Sequence, residues 1–178
     1  MINSTDVLQS IHRWDVVTLQ RVTHSEIRKA SVRLARIVSR TGDGWLYPLV
    51  PVCVYLLGYN DIGNFTITLL AAFGVERCLY FLVKNGFKRR RPDDVLPGYR
   101  SMIVASDEFS FPSGHTSAAF LLVTALTLSF GGAFLALYVW AIGVGASRVI
   151  LGVHFPSDII VGTSMGTVIA NLTFVVLI

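Results

Sequence analysis

The stretch FPSGHTSAAFLLVTALTLSF, Phe111 to Phe130, joins a polar turn to a run suited to an apolar, membrane-embedded helix. Its last fifteen residues, from Thr116 onward, carry no charge. The five before them place a proline, a serine, a glycine and a histidine at the mouth of that run. Pro112 suits the start of a helix, and Ser113 and Gly114 keep backbone amides open there. Such a start holds an anion through unpaired amides and the positive end of the helix dipole. His115 then stands within reach of the anion. Taken alone, a capped helix with an incidental histidine is the simpler account.

The rest of the chain sets the context. It has 178 residues, 53% hydrophobic and only 15% charged, with a mean hydropathy of +0.61. A soluble domain carries about 25% charged residues. Apolar runs at 45–59, 65–83, 116–130, 133–146 and 159–178 approach the length that crosses a bilayer. They are continuous rather than alternating, which argues for helices and against a barrel. The expected fold is all-α, a multi-pass transmembrane bundle of about five spans forming a single domain over 1–178. Pro48 and Pro51 predict a kink in the first span. Gly131-Gly132 predicts a tight turn between the third and fourth, and small residues in the fourth and fifth predict close helix contact.

Residues 1–41 are polar but patterned. Val7, Leu8, Ile11 and Trp14 recur at helical spacing, as do Ile27, Ala30, Leu34, Ile37 and Val38. The second set lies opposite a basic row of Lys29, Arg33, Arg36 and Arg40. This pattern predicts an amphipathic interfacial helix, or two, preceding a catalytic core at 45–178. A soluble helix packed on the rest of the protein is the alternative. The first thirty residues show no continuous apolar core, so no cleavable signal peptide is expected. Cys53 and Cys78 fall in apolar runs without metal-type spacing. The net charge of +4 points to anionic lipid headgroups or phosphate as partners. The basic residues are divided among membrane-flanking segments, which argues against nucleic acid.

Crossings can be counted from this pattern. Segments 84–115 and 147–158 are separated by two spans and so emerge on the same face. That face gathers Lys84, the cluster Lys88-Arg89-Arg90-Arg91-Pro92, the Pro112–His115 turn, Ser147-Arg148, His154 and Asp158. Each has an ordinary explanation: headgroup contact, a snorkelling arginine, a helix cap. Together they form the set that phosphoryl transfer without a metal requires. Cations and amides stabilise the phosphoryl oxygens, one histidine attacks phosphorus, and a second protonates the leaving oxygen.

The three pieces read K-x6-R-P from Lys84 to Pro92, P-S-G-H from Pro112 to His115, and S-R-x5-H-x3-D from Ser147 to Asp158. In order and spacing they resemble the tripartite signature of the type 2 phosphatidic acid phosphatase family, related to vanadium haloperoxidases and glucose-6-phosphatase. The resemblance implies that His154 is the nucleophile, forming a phosphohistidine, and that Asp158 orients it. It implies that His115 is the acid for the leaving alkoxide and then the base for water. Lys84, Arg91, Ser113, the Gly114 amide and Arg148 become the phosphate cradle, with no metal or other cofactor. The polar first 41 residues depart from the commoner six-span members.

The implied activity is hydrolysis of a lipid phosphate, of the phosphatidate or phosphatidylglycerophosphate type. A polyprenyl phosphate or diphosphate, or a lipid A phosphate, is the alternative substrate class. A haloperoxidase is disfavoured by the five apolar runs, and a non-catalytic lipid-binding protein by the intact His115, His154 and Asp158. Asp93, Asp94, Tyr99 and Arg100 are candidates for the specificity pocket. Glu76 and Arg77, charged within the second run, read either as a buried support for the site or as an ion pair between helices. Seven Lys/Arg in 1–44 and six in 84–112 place the site on the cytoplasmic face of a bacterial inner membrane by the positive-inside rule.

Overall fold

The computed structural model describes residues 4–177, without the side chains of residues 4, 5 and 26–29. The side chains of Ile27 and Lys29, and Ile178 as a whole, therefore lie outside the described set. The helices are α1 (Ser4–His24), α2 (Glu26–Thr41), α3 (Val50–Leu56), α4 (Ile62–Phe87), α5 (Pro92–Val95), α6 (Gly114–Phe130), α7 (Leu137–Ile150) and α8 (Pro156–Leu177). Among the described residues there is no strand.

α6 is the axis of the bundle. It is apolar on every side, and a helix of that kind must be covered by neighbouring helices or by lipid; here the neighbours do most of it. Residues Ala119 to Leu126 are all buried, against Phe65, Leu69 and Ala72 of α4 and Ile169, Ala170 and Phe174 of α8. The closest approach is to α8. A methyl group added at Gly162 would lie 2.6 Å from the Ser113 carbonyl oxygen, and one at Gly166 would run into the Ser117 carbonyl. Gly145 of α7 meets Thr116 of α6 and Ile159 of α8 in the same way. The small residues of the fourth and fifth runs thus serve the close contact expected of them.

α4, the segment Gly132–Ile150 and α8 are long and apolar enough to cross a membrane, and Tyr47–Leu56 and α6 are shorter apolar helices. These five coincide with the five runs. The first is broken as its prolines predict: a 3₁₀ turn at Tyr47–Leu49 leads into the short α3. Their outward faces, Leu70 and Leu82 on α4 and Val175 and Val176 on α8 among them, are apolar and exposed. A contiguous surface of this kind suits lipid rather than water.

The N-terminal helices are more closely joined to the bundle than an interfacial segment need be. α2 lies along α7, where Gly42 packs on Val144, Val38 faces Gly143, and Trp140 Nε1 donates to Thr41 Oγ1 at 2.8 Å. α1 packs on α7 and α8. Its apolar stripe of Val7, Leu8, Ile11 and Trp14 faces outward, while Asp15 and Leu19 face inward. On α2, Leu34 and Ile37 are likewise exposed, and Ala35 and Ser39 are buried.

The α6–α8 contact has a direct test. Gly166→Ala forces backbone apart, so its thermal midpoint in detergent should fall by the equivalent of about 1–3 kcal/mol. Gly74→Ala on α4, where an added methyl meets nothing within 4 Å, should be unchanged or slightly more stable. Equal behaviour of the two variants would remove this contact from the account.

Candidate active site

The three charged segments meet at one end of the bundle, as the crossing count requires. Lys84 sits in the last turn of α4, and the helix ends four residues later at Lys88, in a left-handed conformation with φ +47°. Its amide donates back to the Lys84 carbonyl at 3.0 Å. That turn swings Arg89 and Arg91 out of the helix. The one-turn helix α5 then holds Arg91, whose amide donates to Asp94 Oδ2 at 3.3 Å.

Lys84 and Arg91 converge on one carboxylate, Asp107. Lys84 Nζ lies 2.7 Å from its Oδ2, Tyr80 donates to the same oxygen at 2.5 Å, and Arg91 Nη2 donates to Oδ1. Arg91 Nη1 also donates to the Val153 carbonyl at 2.5 Å, which fastens it beside His154. Both cations are almost wholly buried. Burial alone would push the Asp107 carboxyl up, but Lys84, Tyr80 and Arg91 outweigh it and hold it at about 2. Asp107 therefore remains an anion throughout the physiological range.

His154 is buried in the loop between α7 and α8, its Nδ1 3.6 Å from Asp158 Oδ2. That is an ion-pair distance but too long for a hydrogen bond. Asp158, in the first turn of α8, has other bonds: Oδ2 accepts the Phe155 amide at 2.8 Å, and Oδ1 accepts Arg89 Nη1 at 2.7 Å. Arg89 in turn binds Asp15 Oδ2 at 2.7 Å, and Asp15 takes both the amide and the hydroxyl of Ser157. A fully buried acid from α1 is thus tied to the carboxylate that faces His154. Burial pushes the His154 imidazole down to about 4, with Asp158 opposing and Arg148 and Arg91 adding to the fall.

At the start of α6, the Ser113 amide is not open, because it donates to the Asp158 carbonyl at 3.1 Å. The Ser113 hydroxyl pairs with Thr116 Oγ1 at 2.9 Å. The first-turn amides from Gly114 on remain without an intrahelical acceptor. His115 Nε2 lies 2.8 Å from Asp43 Oδ1, on the turn after α2. Arg148 is buried and donates to Ser39 Oγ at 2.6 Å, while its Nε makes no hydrogen bond.

Two cavities meet here. One, of about 820 Å³, runs between apolar residues such as Leu69, Phe73 and Phe81, and reaches Arg77, Tyr80 and Asp107. The other, of about 610 Å³, is lined by Arg36, Arg40, Arg148 and the loop at 102–104. Asp43, Ser106 and His115 belong to both.

Residues 65–177, well over half the chain, match the PAP2 superfamily. The chain belongs to that superfamily. Among PAP2 proteins, it is 37% identical over 109 residues to phosphatidylglycerophosphatase B of Bacillus subtilis strain 168, covering 55% of this chain and 51% of that one. It is 34% identical over 119 residues to lipid A 1-phosphatase of Rhizobium etli, covering 65% and 50%. The chain spans about half the length of the curated relatives it matches. The crystal structure of the first transmembrane PAP2 type phosphatidylglycerolphosphate phosphatase from Bacillus subtilis superposes with a TM-score of 0.61 at 25% identity, covering 94% of each chain.

The motif-bearing residues are thus gathered within one PAP2 fold, and several partners come from elsewhere. Tyr80, Asp107, Asp43, Asp15 and Ser39 belong to no motif. Asp15 had one signal, an acid flanked by Trp14, Val16 and Val17 in an otherwise patterned helix. Of the residues expected in a specificity pocket, Asp93 accepts a bond from Ser101, Asp94 accepts one from the Arg91 amide, Tyr99 lies against Gly152, and Arg100 is exposed. Glu76 and Arg77 do not form an ion pair between helices. They pair with each other at 2.5 and 2.6 Å, Glu76 fully buried, Arg77 lying over the Tyr80 ring and lining the apolar cavity.

A folded-state value below the ordinary 6.5 means that protons favour the unfolded chain. Stability contributed by neutral His154 is therefore lost as pH falls from about 6.5 toward 4. In nitrogen-15 histidine spectra of the detergent-solubilised protein, the His154 ring should stay neutral at pH 5.5. A cationic ring at that pH would contradict this assignment.

Proposed function

We propose that the protein is an integral membrane lipid phosphate phosphatase that hydrolyses a phosphomonoester through a phosphohistidine on His154. The observation that carries this reading is the grip of Lys84 and Arg91 on a single carboxylate beside a buried imidazole with a carboxylate of its own. A phosphate offers the same kind of acceptor oxygens with greater charge. His154 Nδ1 faces Asp158, so Nε2 is the attacking atom. Lys84, Arg91, Arg148 and the Gly114 amide stabilise the phosphoryl oxygens, with the Ser113 hydroxyl at the edge of the cradle. His115 protonates the leaving alkoxide and then activates the water that frees phosphate.

The meeting of a polar and an apolar cavity at His115 supports an amphiphilic substrate, with its headgroup toward the arginines and its chains toward α4. Phosphatidate or phosphatidylglycerophosphate is the substrate class proposed. The Rhizobium etli relative supports a lipid A phosphate as a second reading. Residues 1–178 act as one unit on this account, with 1–41 contributing contacts to the site. The excess of Lys/Arg in 1–44 and 84–112 supports a cytoplasmic site in a bacterial inner membrane.

Purified protein should release phosphate from a short-chain phosphatidate with EDTA present. Labelled phosphate should be trapped on the protein and lost in His154→Ala. No release from a panel that includes lipid A and polyprenyl substrates, by folded protein, would overturn the reading. For sidedness, Cys53 and Cys78 are both exposed, so they are first replaced by alanine. Thr5→Cys in that background should then resist impermeant labelling in intact cells if the site is cytoplasmic.

A further inference from the structure

Each histidine of the site faces a carboxylate. For His154 that partner is Asp158, within the third motif. For His115 it is Asp43, with Oδ1 2.8 Å from Nε2. Asp43 lies outside the region matched to the PAP2 superfamily, which begins at residue 65. It stands between Gly42 and Gly44 where the chain leaves α2. Gly42 packs directly on Val144 of α7, and Gly44 adopts φ +88°, a conformation that glycine accepts freely. Both glycines thus fix the turn so that its carboxylate reaches the point where the two cavities meet.

We propose that Asp43 is a positioning residue for His115, holding the imidazole in the tautomer and orientation that serve the leaving group. This rests on the phosphatase reading above. With Asp43 accepting a hydrogen bond from Nε2–H, the reacting proton resides on Nδ1. As His154 Nε2 forms its bond to phosphorus, the bond from phosphorus to the leaving oxygen breaks, and that oxygen takes the Nδ1 proton. The neutral ring keeps its Nε2 proton on Asp43. Its Nδ1 lone pair then removes a proton from water as the water oxygen attacks phosphorus and the P–N bond breaks. Phosphate leaves, and the ring is again protonated on both nitrogens. The other opposing charges near this ring are those of Asp107, which lines the apolar cavity, and Arg148, which lines the polar one.

A group that protonates a leaving oxygen matters most when that oxygen is basic. The test compares two phosphates of similar chain length, an n-alkyl phosphate and an alkyl-substituted nitrophenyl phosphate. Asp43→Asn should lower kcat on the alkyl substrate by about tenfold or more and on the nitrophenyl substrate by less than about threefold. Asp43→Glu should recover a substantial part of the alkyl activity. Asp43→Ser provides a second removal should the asparagine variant fail to fold, and thermal midpoints monitor all three. Equal losses on both substrates, or no loss on either, would overturn the role assigned to Asp43. A wild-type protein inactive on both substrates would instead overturn the phosphatase reading, and this proposal with it.

Discussion

Everything at the polar end of the bundle depends on how closely two backbones approach. Gly162 lets α8 lie against the Ser113 carbonyl, and Gly166 lets it lie against that of Ser117. With no side chain between them, the start of α6 and the start of α8 become a single surface, sealed by the bond from the Ser113 amide to the Asp158 carbonyl. Two motifs that are more than thirty residues apart in sequence are thereby set in register by backbone packing. Helices in lipid gain little from apolar contact alone, so close packing of this kind is a principal source of their association.

The second layer of order is electrostatic. Lys84, Arg91, Arg148, Asp15 and Asp158 are all buried, and a buried charge is tolerated only when paired or hydrogen-bonded. Every one of them has a partner from a distant segment: Asp107 for the first two, Ser39 for Arg148, and Arg89 between the two acids. The N-terminal segment supplies one of these partners, Ser39, together with the buried acid Asp15 itself and Asp43 on the turn after α2. It therefore completes the charge balance of the site while leaving its apolar stripes turned outward.

The apolar runs and the three motifs made the helices and most of the named site residues legible in the sequence. Run composition alone identified α6 as an apolar helix, and counting crossings brought Arg91, His115 and His154 to one face. What escaped was the identity of the counter-ions. Asp107 adjoins Glu108 in a polar loop, Asp43 stands between glycines, and neither has a spacing that marks it. Their partners are fixed by three-dimensional packing, which a one-dimensional pattern does not contain. The same holds for the amide of Ser113, open by helix rules but bonded once α8 is in place. Arg77 was conspicuous as a charge in an apolar run, yet its partner was the adjacent Glu76, a pairing that helical geometry does not favour.

Asp107 also changes what binding means at this site. The two cations at its oxygens are not bare charges awaiting a ligand, because a tethered carboxylate already satisfies them. On the proposed function, an arriving phosphate exchanges with that carboxylate, and its affinity is then a difference between two anions rather than the attraction of one. The exchange is also reversible. A competitor attached to the chain acts at high effective concentration and cannot diffuse away. On the phosphatase reading proposed above, such a site gives up tight retention of its ligand in return for release of the product phosphate.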